Sequence, residues 1–190
     1  ALVRRILPGE DHAYVCSCSH ETMKGNRKQG IECTHRYQQP DKNMELWREM
    51  FSAKAGKFVL RLKGHMQSQN TTLRDPVIFR IADAPHPRTK KKYRVWPNYD
   101  FESAIMDGLE GITHRLRSKE FELRNELQRL IQTLAGFRQT KIFEFARFNL
   151  EGVWAVMVAG IGQKQSQQHR PARRQRPPRP PDVQRRGVPV

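Results

Sequence analysis

Residues 93–120 read YRVWPNYDFESAIMDGLEGITHRLRSKE, and the fold class depends on this stretch. It begins with strand-prone aromatic and β-branched residues and passes through a small-residue and acidic segment. It ends in a polar, cationic segment with Arg115, Arg117 and Lys119. A strand that feeds such a loop is typical of a ligand site at the end of a sheet. The alternative is a core strand followed by a solvated basic loop, and composition alone leaves both open.

The charge of the chain points to a polyanionic partner. With 190 residues and a formal net charge of +16, the chain can form one sizeable domain or two small ones, and nucleic acid is the expected partner. Three cysteines without a secretory leader predict a reducing, cytoplasmic location. No apolar run approaches the ~18 residues that span a bilayer, so we expect no membrane partner. Because the chain starts at Ala1 rather than Met, we expect a fragment.

Two close pairs of metal-ligating residues form the first candidate site. They are Cys16 with Cys18, and Cys33 with His35. Two such pairs joined by a loop can close a tetrahedral zinc site. Thiolates bind the metal, and we expect the surrounding basic residues to favour the deprotonated form. Since C-x-C is tighter than the usual C-x-x-C, three unrelated thiols and a surface histidine remain an alternative.

Hydrophobic periodicity predicts the regular elements. We predict strands over residues 12–16, 57–63 and 77–82, helices over 41–56 and 122–135, and an aromatic strand and turn over 140–152. In the second strand Phe58, Leu60 and Leu62 share one face, and Arg61 lies off it. Residues 67–75 are predicted as a polar loop, and residues 21–30 are only polar and basic.

Several stretches carry a resemblance to a known family. They read AYVCSCS, NMELWREMF, KFVLRLK, RDPVIFRI, PHPRTKKKYRVWPNYDFESAI, GITHRLRSKEF and EFARFNLEG, in this order. Through them, residues 12–152 resemble the middle of a class I aminoacyl-tRNA synthetase of the glutamyl/glutaminyl group in its archaeal-type form.

The resemblance implies an α/β fold, part of a Rossmann-type catalytic domain with an inserted acceptor-stem-binding subdomain. Residues 1–11 would end the first Rossmann half, and residues 12–92 would be the insertion. Residues 93–152 would form the second half, with the amino-acid and ATP site. Residues 153–190 depart from the family, and their Arg- and Pro-rich composition predicts a disordered basic tail.

Residue roles follow from the same resemblance. Tyr99 would line the amino-acid pocket, with Ser103 one helical turn further on. Arg117 stands where glutamyl enzymes carry Arg and glutaminyl relatives have an uncharged residue. A guanidinium pairs bidentately with a γ-carboxylate and matches a neutral amide poorly, so glutamate is favoured over glutamine.

The nucleotide and the metal have their own implied residues. Ser118, Arg147 and Phe148 would contact ATP, which is a substrate bound with Mg. Many relatives carry a zinc-binding Cys cluster with a fourth Cys where His35 stands, and this strengthens the zinc hypothesis for Cys16, Cys18, Cys33 and His35.

The implied function is ATP-dependent attachment of glutamate to tRNA(Glu) through a glutamyl-adenylate, by an enzyme expected to be a monomer. The family's His-x-Gly-His motif and its Lys-Ser-Lys-type loop are absent from the sequence, so we expect this chain alone to be inactive. Two alternatives remain open: a glutaminyl-tRNA synthetase fragment, and a non-catalytic zinc-containing RNA-binding module.

Overall fold

The computed structural model describes Ile6 and residues 11–146. The strands in this part are β1 Ala13–Cys16, β2 Val59–Leu62, β3 Val77–Ile81, β4 Val95–Pro97, β5 His114–Ser118 and β6 Lys141–Phe145. The α-helices are α1 His20–Gln29, α2 Pro40–Met50, α3 Tyr99–Leu109 and α4 Arg124–Leu134. Short 3-10 helices cover Thr34–Tyr37, Thr71–Leu73 and Lys119–Phe121. None of the described helices is long and apolar enough to cross a bilayer.

An antiparallel sheet runs in the order β1-β2-β3-β4. Val15 pairs with Leu60, and Leu60 pairs with Phe79. Directly paired residues share a face of the sheet, so these side chains form one apolar surface. Val15 and Leu60 are fully buried, and they belong to a core cluster that also holds residues of α2, α3 and α4.

Asn43 attaches α2 to the edge strand β1. Its Oδ1 accepts a hydrogen bond from the Val15 backbone N–H over 2.8 Å, and its Nδ2 donates to the Ala13 carbonyl oxygen over 2.8 Å. An edge strand has backbone groups that no neighbouring strand satisfies. One buried side chain therefore takes the place of a further strand and sets the position of the helix.

The second sheet has the strands β5 and β6, which are parallel, with α4 between them in the chain. Parallel neighbours require a crossover connection of this kind. α3 packs against α4, and Ala104, Leu127 and Ile131 are buried where the two helices join the core. The C-terminal end of β5 delivers Arg117 and Ser118 to the region beside α3.

Most of the predicted elements are confirmed. The three early strands, the helices at 41–56 and 122–135 and the strand after residue 140 are present with shorter bounds. The mixed α/β class is confirmed as well. The division into two Rossmann halves and an insertion stays a prediction, and the predicted tail at 153–190 lies outside the described residues.

Two sequence interpretations were wrong. Residues 114–118 are not a basic loop but strand β5, because His114 to Ser118 pair in register with β6. Arg61 does not face solvent. It is 1% exposed, and Leu60 and Leu62 on the opposite face are buried as well, so both faces of β2 are covered. Its Nε donates to the Asp75 carbonyl oxygen over 2.9 Å.

The polar segment at 21–30 folds as helix α1. Ser19 caps it by accepting a hydrogen bond from the Thr22 backbone N–H over 3.1 Å, and Gly30 ends it at φ 73°. Both are standard helix-end signals. The helix buries none of its residues, so the sequence shows no apolar stripe that would reveal it.

Candidate functional site

The four predicted metal ligands converge at one end of β1. Cys16 is the last residue of that strand, and Cys18 follows two residues later. Cys33 directly precedes the 3-10 helix Thr34–Tyr37, which carries His35. The four ligand atoms all lie within 4.8 Å of one another. Two pairs of residues separated in the chain by helix α1 are thus brought into one cluster.

The spacing of these atoms fits zinc. The Sγ atom of Cys33 lies 3.7 Å from that of Cys16 and 3.4 Å from that of Cys18. His35 Nδ1 lies 3.9, 3.5 and 3.1 Å from the sulfurs of Cys16, Cys18 and Cys33. Tetrahedral zinc, with its usual bond lengths, requires about 3.8 Å between two sulfurs and about 3.5 Å between sulfur and nitrogen. Three thiols and an imidazole are also a usual donor set for structural zinc.

Ser17 holds the imidazole from its other side. Its Oγ lies 3.0 Å from His35 Nε2. A hydrogen bond from Nε2–H to this hydroxyl leaves Nδ1 unprotonated and directed at the three sulfurs. Metal-bound histidines are usually oriented by such a partner on the second ring nitrogen. Ser17 is therefore a supporting residue of the cluster that ligand spacing alone does not reveal.

The basic neighbours do not activate the thiols as expected. Burial raises the pKa of Cys16, and it raises the pKa of Cys18 to about 12. The nearby guanidinium groups are engaged elsewhere, since Arg27 donates to backbone carbonyls and Arg36 forms an ion pair with the buried Asp75. Metal binding must therefore displace protons from these thiols.

Tyr99 and Arg117 both lie near one aromatic residue, Phe121. The ring of Tyr99, at the start of α3, lies 5.4 Å from the ring of Phe121. The guanidinium carbon of Arg117 lies 5.9 Å from that same ring. Tyr99 is 47% exposed, whereas Ser103 is buried at 3% on the same helix. The structure thus brings Tyr99 and Arg117 together and leaves Ser103 in the core behind them.

Arg117 is buried, but only part of its hydrogen-bonding capacity is used. It is 6% exposed, and burial lowers the pKa of its guanidinium. One terminal nitrogen donates to Asn125 Oδ1 over 3.1 Å, and the other donates to Gln128 Oε1. Its Nε has no hydrogen-bond partner. Within the described part of the chain, no carboxylate lies at ion-pair distance from Arg117.

The predicted ATP contacts are described only in part. Ser118 ends β5 and caps the 3-10 helix Lys119–Phe121, one residue after Arg117. This places it beside the amino-acid candidate residues. Arg147 and Phe148 lie outside the described residues, and all three assignments stay predictions.

A basic cleft is the feature that sequence reasoning missed. Its volume is about 600 Å³. It lies between α1, β2 and the start of α3, and its lining contains the basic residues Lys24, Arg27, Lys28, Arg61 and Arg124 together with His20 and one carboxylate, Asp100. Both terminal nitrogens of Arg61 are buried without a hydrogen-bond partner. No sequence signal pointed here because α1 and the burial of Arg61 were both unforeseen.

Comparison with known proteins gives the family. The family described as "tRNA synthetases class I (E and Q), catalytic domain" matches residues 3–154. The chain belongs to this family, as the sequence motifs predicted.

Its relatives include archaeal glutamate–tRNA ligases. The chain is 46% identical to the glutamate–tRNA ligase of Korarchaeum cryptofilum, over 74% of this chain and 25% of that protein. It is 42% identical to the ligase of Cenarchaeum symbiosum, over 79% of this chain and 27% of that protein. The chain thus spans about a quarter of the length of these relatives. A glutamate tRNA ligase structure from Elizabethkingia meningosepticum matches with a TM-score of 0.46 and 17% identity, over 72% of this chain and 30% of that one.

Proposed function

We propose that this chain belongs to a glutamate–tRNA ligase and supplies the group that recognises the glutamate side chain. In the complete reaction the α-carboxylate of glutamate displaces pyrophosphate from the α-phosphate of ATP, with Mg, to form a glutamyl-adenylate. The terminal ribose hydroxyl of tRNA(Glu) then takes the glutamyl group and releases AMP. The observation that carries the proposal is Arg117, a buried cation with an unpartnered Nε beside Tyr99. The names of the archaeal relatives support the same amino acid.

The electrostatics of Arg117 favour glutamate over glutamine. A buried guanidinium without an ion-pair partner gains a charge-assisted, bidentate contact from a γ-carboxylate. The neutral amide of glutamine has one acceptor oxygen and one NH₂ group. A guanidinium only donates hydrogen bonds, so it cannot bond to that NH₂ group. The glutaminyl alternative is therefore less favoured. Ser103 stays proposed for the amino-acid pocket, and Ser118, Arg147 and Phe148 stay proposed for ATP binding.

The basic cleft supports RNA as a partner. Its cations surround a cavity large enough for a nucleotide, and the unpartnered nitrogens of Arg61 are suited to phosphate oxygens. The chain carries +16 overall, so long-range attraction favours the same partner. We assign the cleft to the tRNA substrate. Monomeric state and cytoplasmic location stay predictions.

Zinc has a structural role in this proposal. Bound by Cys16, Cys18, Cys33 and His35, it would stabilise the loop that joins β1 to α1 and the 3-10 helix that follows. None of these four residues lines the basic cleft or contacts Arg117. A zinc-containing RNA-binding module without catalytic activity is the second candidate, because the cluster and the cleft would serve it equally well.

Amino-acid binding separates the two candidates. Equilibrium dialysis of the chain against labelled glutamate and labelled glutamine should show binding that prefers glutamate. A chain that binds RNA but neither amino acid would support the non-catalytic module. Glutamate-dependent pyrophosphate exchange should be absent, and measurable exchange would overturn the expectation that the chain alone is inactive.

RNA binding is tested by filter binding with tRNA(Glu). Affinity should be retained by residues 1–152 and should fall when residues 1–150 are removed. If binding survives that removal, the basic tail alone is responsible and the cleft is not an RNA site.

A further inference from the structure

Two amide side chains of α4 hold the guanidinium of Arg117. Asn125 Oδ1 accepts one hydrogen bond and Gln128 Oε1 accepts the other. The two residues lie three positions apart, so they stand on the same face of the helix and meet one partner. Asn125 is 9% exposed and Gln128 is 1% exposed, which makes both contacts buried.

Each amide also donates to a carboxylate. Gln128 Nε2 donates to Asp107 Oδ2 over 2.8 Å, and Asn125 Nδ2 donates to Glu144 Oε1. Asp107 in turn pairs with Arg115 over 2.9 Å. Thus one neutral amide side chain lies between Arg117 and each of the two carboxylates, Asp107 and Glu144. The amide orientation is fixed, because only the oxygen can face the guanidinium and only the NH₂ group can face a carboxylate.

This arrangement leaves Arg117 without a direct ion-pair partner among the described residues. A buried arginine with a purely structural role would be better satisfied by a carboxylate in direct contact. Here each of the two carboxylates, Asp107 and Glu144, is linked to Arg117 only through an amide side chain. Within residues 11–146, two of its five N–H donors are used, and the Nε–H group has no hydrogen-bond partner.

We infer that Asn125 and Gln128 are positioning residues that fix the guanidinium of Arg117 and keep its charge available for the γ-carboxylate of the substrate. This inference rests on the proposed function, in which Arg117 recognises glutamate. The amides orient the group through its terminal nitrogens and leave the Nε side for the ligand. Selectivity for a carboxylate then depends on two residues that do not themselves touch the substrate.

Exchanging the positions of amide and carboxylate tests the inference. The double variant Gln128→Glu/Asp107→Asn preserves every hydrogen bond of this chain of contacts, including an acceptor for Arg115. It also leaves the net charge unchanged, and it moves one negative charge onto Arg117. The double variant Asn125→Asp/Glu144→Gln makes the same exchange in the contact between Asn125 and Glu144. It replaces the first double variant if that protein does not fold.

The readout is the Nε–Hε NMR signal of Arg117 in the ¹⁵N-labelled full chain, assigned by its loss in Arg117→Cys. In the wild-type chain, glutamate should shift this signal and glutamine should not. In either double variant, the glutamate concentration for half of the shift should rise about tenfold or more, since the new carboxylate competes with the ligand. Gln132→Leu is the control, because it removes a buried amide of α4 that does not contact Arg117.

The outcomes are distinct. If glutamate leaves the wild-type signal unchanged, recognition by Arg117 is wrong and the proposed function falls with it. If the wild-type chain responds and a folded double variant responds at the same glutamate concentration, the positioning inference is wrong. The two amides then only attach α4 to β5.

Discussion

Arg61 and Asp75 are joined by a hydrogen bond of 2.9 Å from the guanidinium Nε to the backbone carbonyl oxygen. Both residues are buried, at 1% and 0% exposure. The guanidinium carbon of Arg61 also lies 5.4 Å from the centre of the Tyr14 ring. Its terminal nitrogens have no hydrogen-bond partner among the described residues, and Arg61 lines the basic cleft. These two nitrogens are the basis for proposing that Arg61 binds an anion at the cleft.

Arg61→Met should therefore separate stability from RNA binding. The variant loses the Nε hydrogen bond to Asp75 but also removes two unpartnered buried nitrogens. Because these two effects oppose each other, we expect the free energy of unfolding to change by no more than about 1 kcal/mol. The affinity for tRNA should fall, and the slope of log K against log salt should decrease by about 1. Arg80→Met is the control, because Arg80 is exposed on β3 and does not line the cleft. A large loss of stability without any loss of RNA affinity would contradict the assignment of the cleft.

The cysteine cluster predicts one bound zinc ion per chain. Cys33→Ser should abolish stoichiometric zinc in a metal assay and lower the melting temperature, since Cys33 contacts all three other ligands. His20→Asn should leave the zinc content unchanged, because His20 is a nearby imidazole outside the cluster. Equal zinc content in the wild-type chain and Cys33→Ser would contradict the assignment of these four residues as a zinc site.

The hydroxyl of Ser17 has a separate prediction. Ser17→Ala should lower zinc affinity about tenfold or more in a chelator competition, because the orienting partner of His35 is lost. Ser17→Thr keeps the hydroxyl and should keep most of the affinity. If the two variants bind zinc equally well, the contact between Ser17 and His35 has no part in metal binding.

Two glycines should respond in opposite directions to the same substitution. A Cβ atom at Gly64 would lie 2.0 Å from the Leu73 carbonyl oxygen, so Gly64→Ala should destabilise the fold by about 3 kcal/mol or more. A Cβ atom at Gly25 meets nothing within 4 Å, and this residue lies inside α1. Gly25→Ala should stabilise the chain by about 0.5–1 kcal/mol. Chemical denaturation of both variants measures the contrast.

Core elements were predictable because burial leaves a periodic pattern. Leu60 and Leu62 alternate on β2, and Leu127 and Ile131 recur at helical spacing on α4, so the sequence carries the signal directly. Helix α1 carries no such pattern, and only its caps at Ser19 and Gly30 mark it.

Some residues of the candidate site were likewise predictable from the sequence, and others were not. Spacing was enough to find Cys16, Cys18, Cys33 and His35, and the motif resemblance pointed to Tyr99 and Arg117.

The supporting contacts join side chains from different elements of the fold, so no local sequence pattern reveals them. Ser17, Asn125 and Gln128 are ordinary polar residues until the fold places each against its partner. The burial of Arg61 depends on its contacts with Tyr14 and the Asp75 backbone, which strand periodicity alone does not reveal.

The measurement that tests the central claim most directly is the ratio of glutamate to glutamine affinity in the wild-type chain and in Arg117→Cys. The account predicts that the wild-type chain prefers glutamate. The variant should lose about 2 kcal/mol or more of this preference, roughly 30-fold in the ratio, because the cation that pairs with the γ-carboxylate is gone. Arg129→Cys, which removes an exposed arginine of α4, should keep the wild-type ratio. An unchanged ratio in a folded Arg117→Cys chain would contradict the assignment of Arg117 as the group that selects glutamate.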